Sequence, residues 1–282
     1  MSGFDGKEFL KEFRNLRGLK HQNVVELVGF CNESKEVVAE YEGKQVVATQ
    51  IHTALCFEYV RNGSLRKHIS DEYTWLNWLT RFNIIKGICQ GLKYLREGLK
   101  SPVMHLDLKP DNILLDQAMV PKIADFGLSR LFGEENTIKT ISSVGTFGYL
   151  PPEYIEHQVI SENFDIFSLG VIITKIITGN EGYNCIADMA PTKFVKQVHD
   201  KWRRRLFQIL EPRPLEVYCH QIKRCIEIAL ECIKRNRQER PTIQRVVSIL
   251  LETETIIGDL GLQAEQVSSL VFPHFRLYST LP

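Results

Sequence analysis

A loop-rich, polar segment from residue 103 to residue 148 divides the chain into two parts with different hydrophobic patterns. Ahead of it, short runs of β-branched and aromatic residues predict strands, and helical spacing follows from Leu65 to Leu99. Behind it, the strongly apolar run Phe164 to Thr178 predicts a buried helix, and two more helices are predicted over Ile222 to Ile233 and Ile243 to Leu251. The pattern therefore predicts an α+β chain with a small strand-bearing first part and a large, mainly helical second part.

The first part of the chain is expected to form one helix and several short strands. Apolar residues at three- and four-residue spacing predict a helix that ends near Gly18 to His21. Glu42-Gly43-Lys44 is predicted to be the turn of a hairpin between Val37-Val38 and Val46 to Ala48. Strands are predicted over four stretches: Val24 to Phe30, which is expected to be buried, Val37 to Val38, Val46 to Ala48, and Thr53 to Tyr59.

Composition and charge exclude several classes of protein. The 282 residues carry Lys+Arg 35 against Asp+Glu 34, a formal net charge of +1, so no global positive field exists to hold nucleic acid or an anionic membrane. The basic run Lys201 to Arg205 is expected to be a solvated helix face or a partner contact rather than a nucleic-acid site. No apolar stretch approaches the roughly 20 residues of a membrane span. The first residues do not contain the apolar core of a signal peptide, and the seven cysteines include no CxxC pair. Together these features predict a cytoplasmic domain.

The loop-rich segment carries side chains of the kind that phosphoryl transfer requires. It contains His105-Leu106-Asp107-Leu108-Lys109-Pro110-Asp111-Asn112 and, further along, Asp125-Phe126-Gly127. Phosphoryl transfer depends on charge placement: a carboxylate at the acceptor hydroxyl, a cation at the phosphate, and oxygen ligands for Mg²⁺. Asp107 and Lys109 suit the first two tasks, and Asn112 and Asp125 suit the metal.

These two motifs resemble the catalytic loop and the metal-binding loop of eukaryotic protein kinases. Pro151-Pro152-Glu153, Asp165 to Gly170, and Arg240-Pro241 continue the resemblance in the family's order, and it covers roughly residues 8 to 253. The resemblance implies a two-lobed protein-kinase fold, ATP and Mg²⁺ as cofactors, and a protein substrate. Three further segments make the chain similar to plant receptor-like kinases: Leu27 to Cys31, Asn62 to Leu65, and Gly145 to Tyr149.

The resemblance also implies roles for individual residues. Lys109, two positions after Asp107, together with Thr146 is typical of the serine/threonine branch, so the expected acceptor is a Ser or Thr hydroxyl. The backbones of Glu58 and Val60 are expected to bind adenine. The remaining assignments are Leu114 beneath the purine, Phe57 as gatekeeper, Glu12 and Leu16 on the first helix, structural or regulatory roles for His105, Phe126 and Asp165, and a pair formed by Glu153 and Arg240.

Two departures from the kinase pattern affect the expected activity. Leu106 stands where many kinases have an arginine that pairs with an activation-loop phosphate, so gating by such a phosphate is not expected. Ahead of Glu12 this sequence has no GxGxxG loop and no Val-Ala-x-Lys strand, the parts that hold ATP phosphates and supply a lysine partner. The similar stretch Val47-Ala48-Thr49-Gln50 ends in glutamine, and Lys44 is the alternative lysine. Weak transfer by these residues alone is therefore expected.

The resemblance divides the chain into a partial small lobe (1–60), a large lobe (61–254) and a tail (255–282). The first hypothesis is a serine/threonine protein kinase, in a family whose relatives lie on the cytoplasmic face of the plasma membrane. The alternatives are a pseudokinase scaffold and a decoy that binds a complete kinase or a receptor complex. None of the three requires nucleic acid or a membrane span within these residues. An incomplete small-lobe sheet is expected to leave a strand edge open to a partner.

Overall fold

A computed structural model describes residues 13, 16–69, 76–131, 137–139, 144–179, 184–186 and 189–259. Glu12 and residues 260–282 of the predicted tail lie outside these described residues. Within the described ranges, every helix is too short or too polar to cross a lipid bilayer.

The predicted end of the first helix agrees with the structure. Phe13 and Leu16 are helical, and the Arg17 N–H donates to the Phe13 carbonyl oxygen at 2.8 Å. The chain then leaves the helix at Gly18, whose φ of +97° favours glycine. A glycine just past the last periodic residue is a helix stop signal, which is why the sequence located this boundary.

Strands β1 (Leu27–Tyr41) and β2 (Lys44–Phe57) form one long antiparallel hairpin. Glu42 and Gly43 join them, and both have positive φ angles, 51° and 73°. Two residues of that conformation make a type I′ turn, whose twist matches that of paired strands. The turn therefore lies where the sequence predicted one.

The division of this region into four short strands was wrong, because β1 and β2 are continuous. The polar stretch Asn32 to Glu36 does not interrupt β1, since its residues are exposed on both faces and polarity there costs nothing. The prediction of a buried strand over Val24 to Phe30 was also wrong. Val24 and Val25 are buried but precede β1, whereas the Phe30 side chain within β1 is 57% exposed.

Three further antiparallel pairs of short strands organise the middle of the chain. The pair nearest the hairpin connects the two parts, because the Ile123 carbonyl accepts the Val25 N–H at 2.9 Å and the Asn23 carbonyl accepts the Ile123 N–H at 2.9 Å. The pairs are β3 (Val103–Met104) with β6 (Arg130–Leu131), β4 (Ile113–Leu115) with β5 (Pro121–Ile123), and β7 (Thr137–Lys139) with β8 (Val159–Ser161).

The helical spacing from Leu65 to Leu99 belongs to two helices rather than one. They are α1 (Arg66–Ile69) and α2 (Trp78–Glu97), and residues 70–75 lie outside the described ranges. Asn77 starts α2, because its Oδ1 accepts the Thr80 N–H at 2.8 Å and satisfies a donor that the helix leaves free. The apolar face of α2 packs against β5 and the last helix.

The large part of the chain is built around helix α4 (Phe164–Thr178), in which almost every residue is buried. Gly170 lets the helix that ends at Cys232 approach it closely, since a Cβ there would lie 2.7 Å from the Cys232 Cβ. The surrounding helices are α3 (Pro152–His157), α5 (Pro191–Phe207), α6 (Pro212–Cys232) and α7 (Ile243–Asp259).

The predicted starts of α4 and α7 agree with the structure, whereas α7 ends later than predicted, at Asp259, and α6 starts earlier than predicted. Helix α6 begins ten residues before the predicted Ile222, at Pro212, a residue that is favoured in the first helical turn. Helix α5 contains the basic run, but Trp202 within it is 5% exposed and donates to the Ile177 carbonyl oxygen at 3.0 Å. This tryptophan is therefore part of the core and is not available to stack on a nucleic-acid base.

Candidate active site

The predicted catalytic loop, His105 to Asn112, is fixed to helix α4 by Asp165. Asp165 lies in the first turn of that helix and is 1% exposed. Its two oxygens accept the backbone N–H groups of His105 at 2.8 Å and Leu106 at 2.9 Å. These bonds compensate the buried carboxylate for its lost hydration. They also hold Leu106 at a φ of 66°, which non-glycine residues rarely adopt.

His105 joins this loop to the predicted metal loop. Its Nε2 lies 2.9 Å from the Ala124 carbonyl oxygen, and its Nδ1 accepts the Asp107 N–H at 3.3 Å. Because a carbonyl oxygen only accepts, the pattern assigns the proton to Nε2. The Ala124 N–H also donates to the Asn112 carbonyl at 2.9 Å, so both side-chain and main-chain bonds connect the two loops.

Asp107, Lys109 and Thr146 form a closed triangle of hydrogen bonds. The Lys109 Nζ donates to the Asp107 Oδ2 at 2.7 Å and to the Thr146 Oγ1 at 2.8 Å, and the Thr146 hydroxyl donates to the Asp107 Oδ1 at 2.6 Å. Thr146 is 37 positions from Lys109, so only the tertiary fold brings them together. The carboxylate, the ammonium group and the hydroxyl are thereby held in direct contact with one another.

Asn112 and Asp125 fit a magnesium ion by the chemistry of their donors. The Asn112 Nδ2 donates to the backbone oxygen and the Oδ2 of Asp107, at 3.0 Å and 3.2 Å, so its Oδ1 points away from Asp107. Asp125 is exposed, although Phe126 beside it is fully buried. Among the described residues no group of three or more His, Cys, Asp or Glu could hold a metal alone. A carboxylate and an amide oxygen suit Mg²⁺, which usually takes its other oxygens from phosphates and water.

The segment after β2 carries the residues predicted to bind the nucleotide. The Glu58 side chain accepts the Glu26 N–H at 2.9 Å and the Lys122 Nζ at 2.8 Å, and the Glu58 N–H donates to the Glu26 carbonyl at 3.0 Å. These bonds hold the segment against Glu26, just before β1, and against β5. Val60 is buried, and Phe57 and Leu114 are partly buried against the core.

Glu153 and Arg240 form the ion pair that the sequence predicted. The two guanidinium nitrogens donate to the two Glu153 oxygens at 2.8 Å and 2.7 Å. The Arg240 side chain is 0% exposed, and its guanidinium carbon lies 5.1 Å from the centre of the Phe167 ring. This bidentate pair connects α3 to the segment just before α7.

Leu106 occupies an apolar cluster instead of an anion site. Its fully buried side chain packs with Met104, Val144, Leu150, Tyr154, Ile160 and Phe164. The Val144 N–H donates to the Tyr154 hydroxyl at 2.8 Å, which fixes the backbone beside the cluster. The loop is thus held to the residues around Val144 by hydrophobic packing.

Of the two residues predicted on the first helix and the alternative lysine, only Leu16 lies in the core beside the site. Leu16 is 1% exposed and belongs to the same core cluster as Phe126, whereas Glu12 lies outside the described residues. Lys44 is exposed at the turn end of the hairpin, thirteen residues along β2 from Phe57. At roughly 3.3 Å per residue that separation is about 40 Å, so Lys44 cannot serve the phosphates of a nucleotide bound near Phe57.

Sequence reasoning missed three residues that border this site. Lys122 holds Glu58, and the Lys175 Nζ donates to the Tyr149 hydroxyl at 3.0 Å. The signal for Lys175 was present, because a lysine interrupts the otherwise apolar run of α4. Lys122 lies between the two loop motifs and Tyr149 ends the segment Gly145 to Tyr149, and only the fold shows their contacts.

Residues 2–250 match the family profile described as a protein kinase domain. The chain belongs to the protein kinase family. The predicted α+β, protein-kinase-like fold is therefore confirmed, with small sheets in the first part of this kinase chain and mostly helices in the second.

The similar proteins include receptor-like kinases of Arabidopsis thaliana. Receptor-like serine/threonine-protein kinase SD1-7 is 37% identical over 266 residues, which cover 90% of this kinase chain and 29% of that protein. Cysteine-rich receptor-like protein kinase 36 is 36% identical over 261 residues, which cover 90% of the chain and 36% of that protein. The chain thus spans about a third of the length of these relatives, and its resemblance is to protein serine/threonine kinases.

Proposed function

We propose that this kinase chain transfers the γ-phosphoryl group of ATP to Ser or Thr hydroxyls of proteins. The Asp107–Lys109–Thr146 triangle is the observation that carries the proposal. Asp107 would accept the proton of the acceptor hydroxyl, and Lys109 would face the transferring phosphoryl group. Thr146, bonded to both, would fix their separation and shape the acceptor position. As part of a receptor-like kinase, the domain would act at the cytoplasmic face of the plasma membrane.

The neighbouring residues would hold the nucleotide and its metal. Asn112, through Oδ1, and Asp125 would bind Mg²⁺, which stabilises the negative charge of the transferring group when it is bound. The Glu58 carbonyl and the Val60 N–H would bind the edge of adenine, with Leu114 beneath the ring. His105 and Asp165 would act as positioning residues, since they bind the backbone N–H groups of Asp107 and of the two residues before it.

We further infer that activation-loop phosphorylation does not gate the site through the position of Leu106. The Leu106 side chain is uncharged, fully buried and packed beside Val144. An apolar side chain offers no charge-assisted bond to a phosphate. The conformation of the backbone at Val144 would instead depend on hydrophobic packing and on the hydrogen bond to the Tyr154 hydroxyl.

A scaffold that transfers little phosphate is the second candidate function. The hairpin favours it, because Lys44, the alternative lysine on it, lies too far from Phe57 to hold the phosphates of a nucleotide bound there. Loss of one positioned electrostatic contact costs about 3 kcal/mol, or roughly a hundredfold in rate. Exposed Val38, Val47 and Ile51 on the hairpin also offer an apolar surface for a partner kinase or a receptor complex.

Phosphoryl transfer by the purified chain separates the two functions. We expect slow, Mg²⁺-dependent transfer from radiolabelled ATP to a generic serine substrate, and we expect Asp107→Asn to abolish it. Asp200→Asn, on the exposed surface of α5, is the matched control and is expected to leave transfer unchanged. Equal transfer by the Asp107→Asn variant would refute the proposed role of this carboxylate.

Thermal unfolding with Mg·ATP tests nucleotide binding independently of transfer. A ligand at about 100 times its Kd adds about 2.7 kcal/mol of stability. A rise in melting temperature with Mg·ATP that the Asp125→Asn variant does not show would support a nucleotide site at the metal loop. An unchanged melting temperature together with no transfer would assign the scaffold function.

A further inference from the structure

Three cations border the acceptor side of the Asp107–Thr146 pair. Lys109 bonds to Thr146 at 2.8 Å, and Thr146 is linked through a turn to Tyr149, whose N–H donates to the Thr146 carbonyl at 3.1 Å. The Tyr149 hydroxyl accepts the Lys175 Nζ at 3.0 Å, and that nitrogen lies 4.5 Å from the centre of the Tyr149 ring. The third cation, Arg66, lies near enough for its charge to lower the pKa values of both Tyr149 and Lys175.

Two of these cations already have a carboxylate partner. Lys109 is paired with Asp107 at 2.7 Å, and Arg66 is paired with Asp111 at 3.1 Å. Lys175 takes part in no salt bridge among the described residues, and its hydrogen bond goes to a neutral phenol. Burial raises the pKa of Tyr149 to about 12, so this phenol supplies no negative charge near neutral pH. One positive charge therefore remains unbalanced beside the acceptor position.

The Lys175 ammonium is held at an energetic cost. Burial lowers its pKa, and the Arg66 cation lowers it further, whereas the Asp111 carboxylate opposes the change. A cation whose charged form is disfavoured gains from an incoming anion, because the anion replaces the solvation that burial removed. The structure is therefore prepared for a negative group at this position.

We propose that Lys175, with Arg66 beside it, recognises an acidic side chain that flanks the acceptor Ser or Thr of the substrate. The proposal rests on the proposed function, because it takes the acceptor peptide to lie along Thr146 to Tyr149. The exposed Arg66 and the ring of Phe147, which is 85% exposed, leave this border open to a peptide. An aspartate, a glutamate or a phosphorylated side chain would supply the required charge.

Peptide binding without nucleotide tests this inference separately from transfer. Three fluorescent peptides share one serine and differ only in flanking Glu, Gln or Lys residues, and anisotropy gives their Kd values. We expect the Glu peptide to bind about fivefold more tightly than the Gln peptide, as is usual for a partly exposed ion pair. The Lys peptide is expected to bind most weakly. Equal Kd values for the three peptides would overturn the inference even if the chain transfers phosphate.

Charge variants assign the preference to the residue. Lys175→Glu is expected to reverse the order of the Glu and Lys peptides, and Lys175→Gln is expected to abolish the difference between them. Lys35→Glu, on the exposed surface of β1, makes the same change of net charge and is expected to keep the original order. Melting curves verify folding, and Lys175→Gln serves if Lys175→Glu unfolds the chain. A Glu preference that survives Lys175→Gln would refute the assignment.

Discussion

Replacing Arg240 by alanine tests how much of the kinase fold depends on one buried ion pair. The Arg240 side chain donates to both oxygens of Glu153 and also to the carbonyl oxygens of Lys234 at 2.8 Å, Asn163 at 3.3 Å and Arg235 at 3.2 Å. Arg240→Ala removes all these bonds at once. It leaves Glu153, whose side chain is 11% exposed, with the Ser161 hydroxyl at 3.0 Å as its one donor among the described residues.

The expected loss of unfolding free energy is about 3–5 kcal/mol, the usual cost of leaving one member of a buried pair uncompensated. For a chain of this size that corresponds to a fall in Tm on the order of 10 °C. Most of the cost comes from the stranded Glu153 carboxylate. The double change Arg240→Met with Glu153→Leu is therefore expected to recover part of the loss, because it removes both charges.

Arg203→Ala is the matched control because it breaks a second bidentate pair in a different environment. The Arg203 nitrogens donate to Glu216 at 3.0 Å and 2.6 Å, but the two side chains are 43% and 62% exposed. Water screens such a pair and solvates each partner after the other is removed. Unfolding by urea, followed by the fluorescence of the buried Trp78 and Trp202, measures both variants. An Arg203→Ala variant as destabilised as Arg240→Ala would refute the reasoning from burial.

Two further predictions concern the thiols and one glycine. Burial raises the pKa values of the Cys89 and Cys225 thiols, and Cys219 and Cys232 are also buried. At pH 8 only three of the seven thiols should therefore react rapidly with a disulfide reagent in the native state, those of the exposed Cys31, Cys56 and Cys185. All seven should react after denaturation, and more than three rapid native reactions would contradict the packing described above. Gly145→Ala should lower the unfolding free energy by about 2 kcal/mol more than the positive φ alone would cause. The reason is that the added Cβ would lie 2.8 Å from the Leu106 carbonyl oxygen. Gly148→Ala is its control, with a similar φ of 89° and open space around the site, and equal losses in urea unfolding would show that the clash is relieved.

The local motifs of the predicted site could be found in the sequence because each depends on chemistry within a few residues. The run from His105 to Asn112 contains a carboxylate, an ammonium group and an amide at fixed short spacing. The Glu42-Gly43 turn and the stop at Gly18 were predictable for the same reason, since a positive φ restricts the residue types that fit. Glu153 and Arg240 were paired only through the resemblance, because nothing local relates positions that far apart.

The full length of the hairpin could not be predicted because its surroundings, rather than its own pattern, decide how far its strands extend. Alternation of polar and apolar residues reports on a strand only when one face is buried. Most of β1 and β2 is exposed on both faces, so polar residues such as Glu33 and Glu36 gave no strand signal. The missed start of α6 has a similar cause, because its early turns pack on α5 and tertiary contacts extend a weak local preference.

Sequence alone determined which functional groups this kinase chain possesses, because motif order and spacing are properties of the covalent chain. Tertiary structure decided which of those groups act together. It brought Thr146 to Asp107, buried Leu106 against Val144, and bonded the Lys175 ammonium to the neutral Tyr149 phenol. The physical reason is that charge and burial act through distance in space, and residues far apart along the chain become neighbours only when the core is packed.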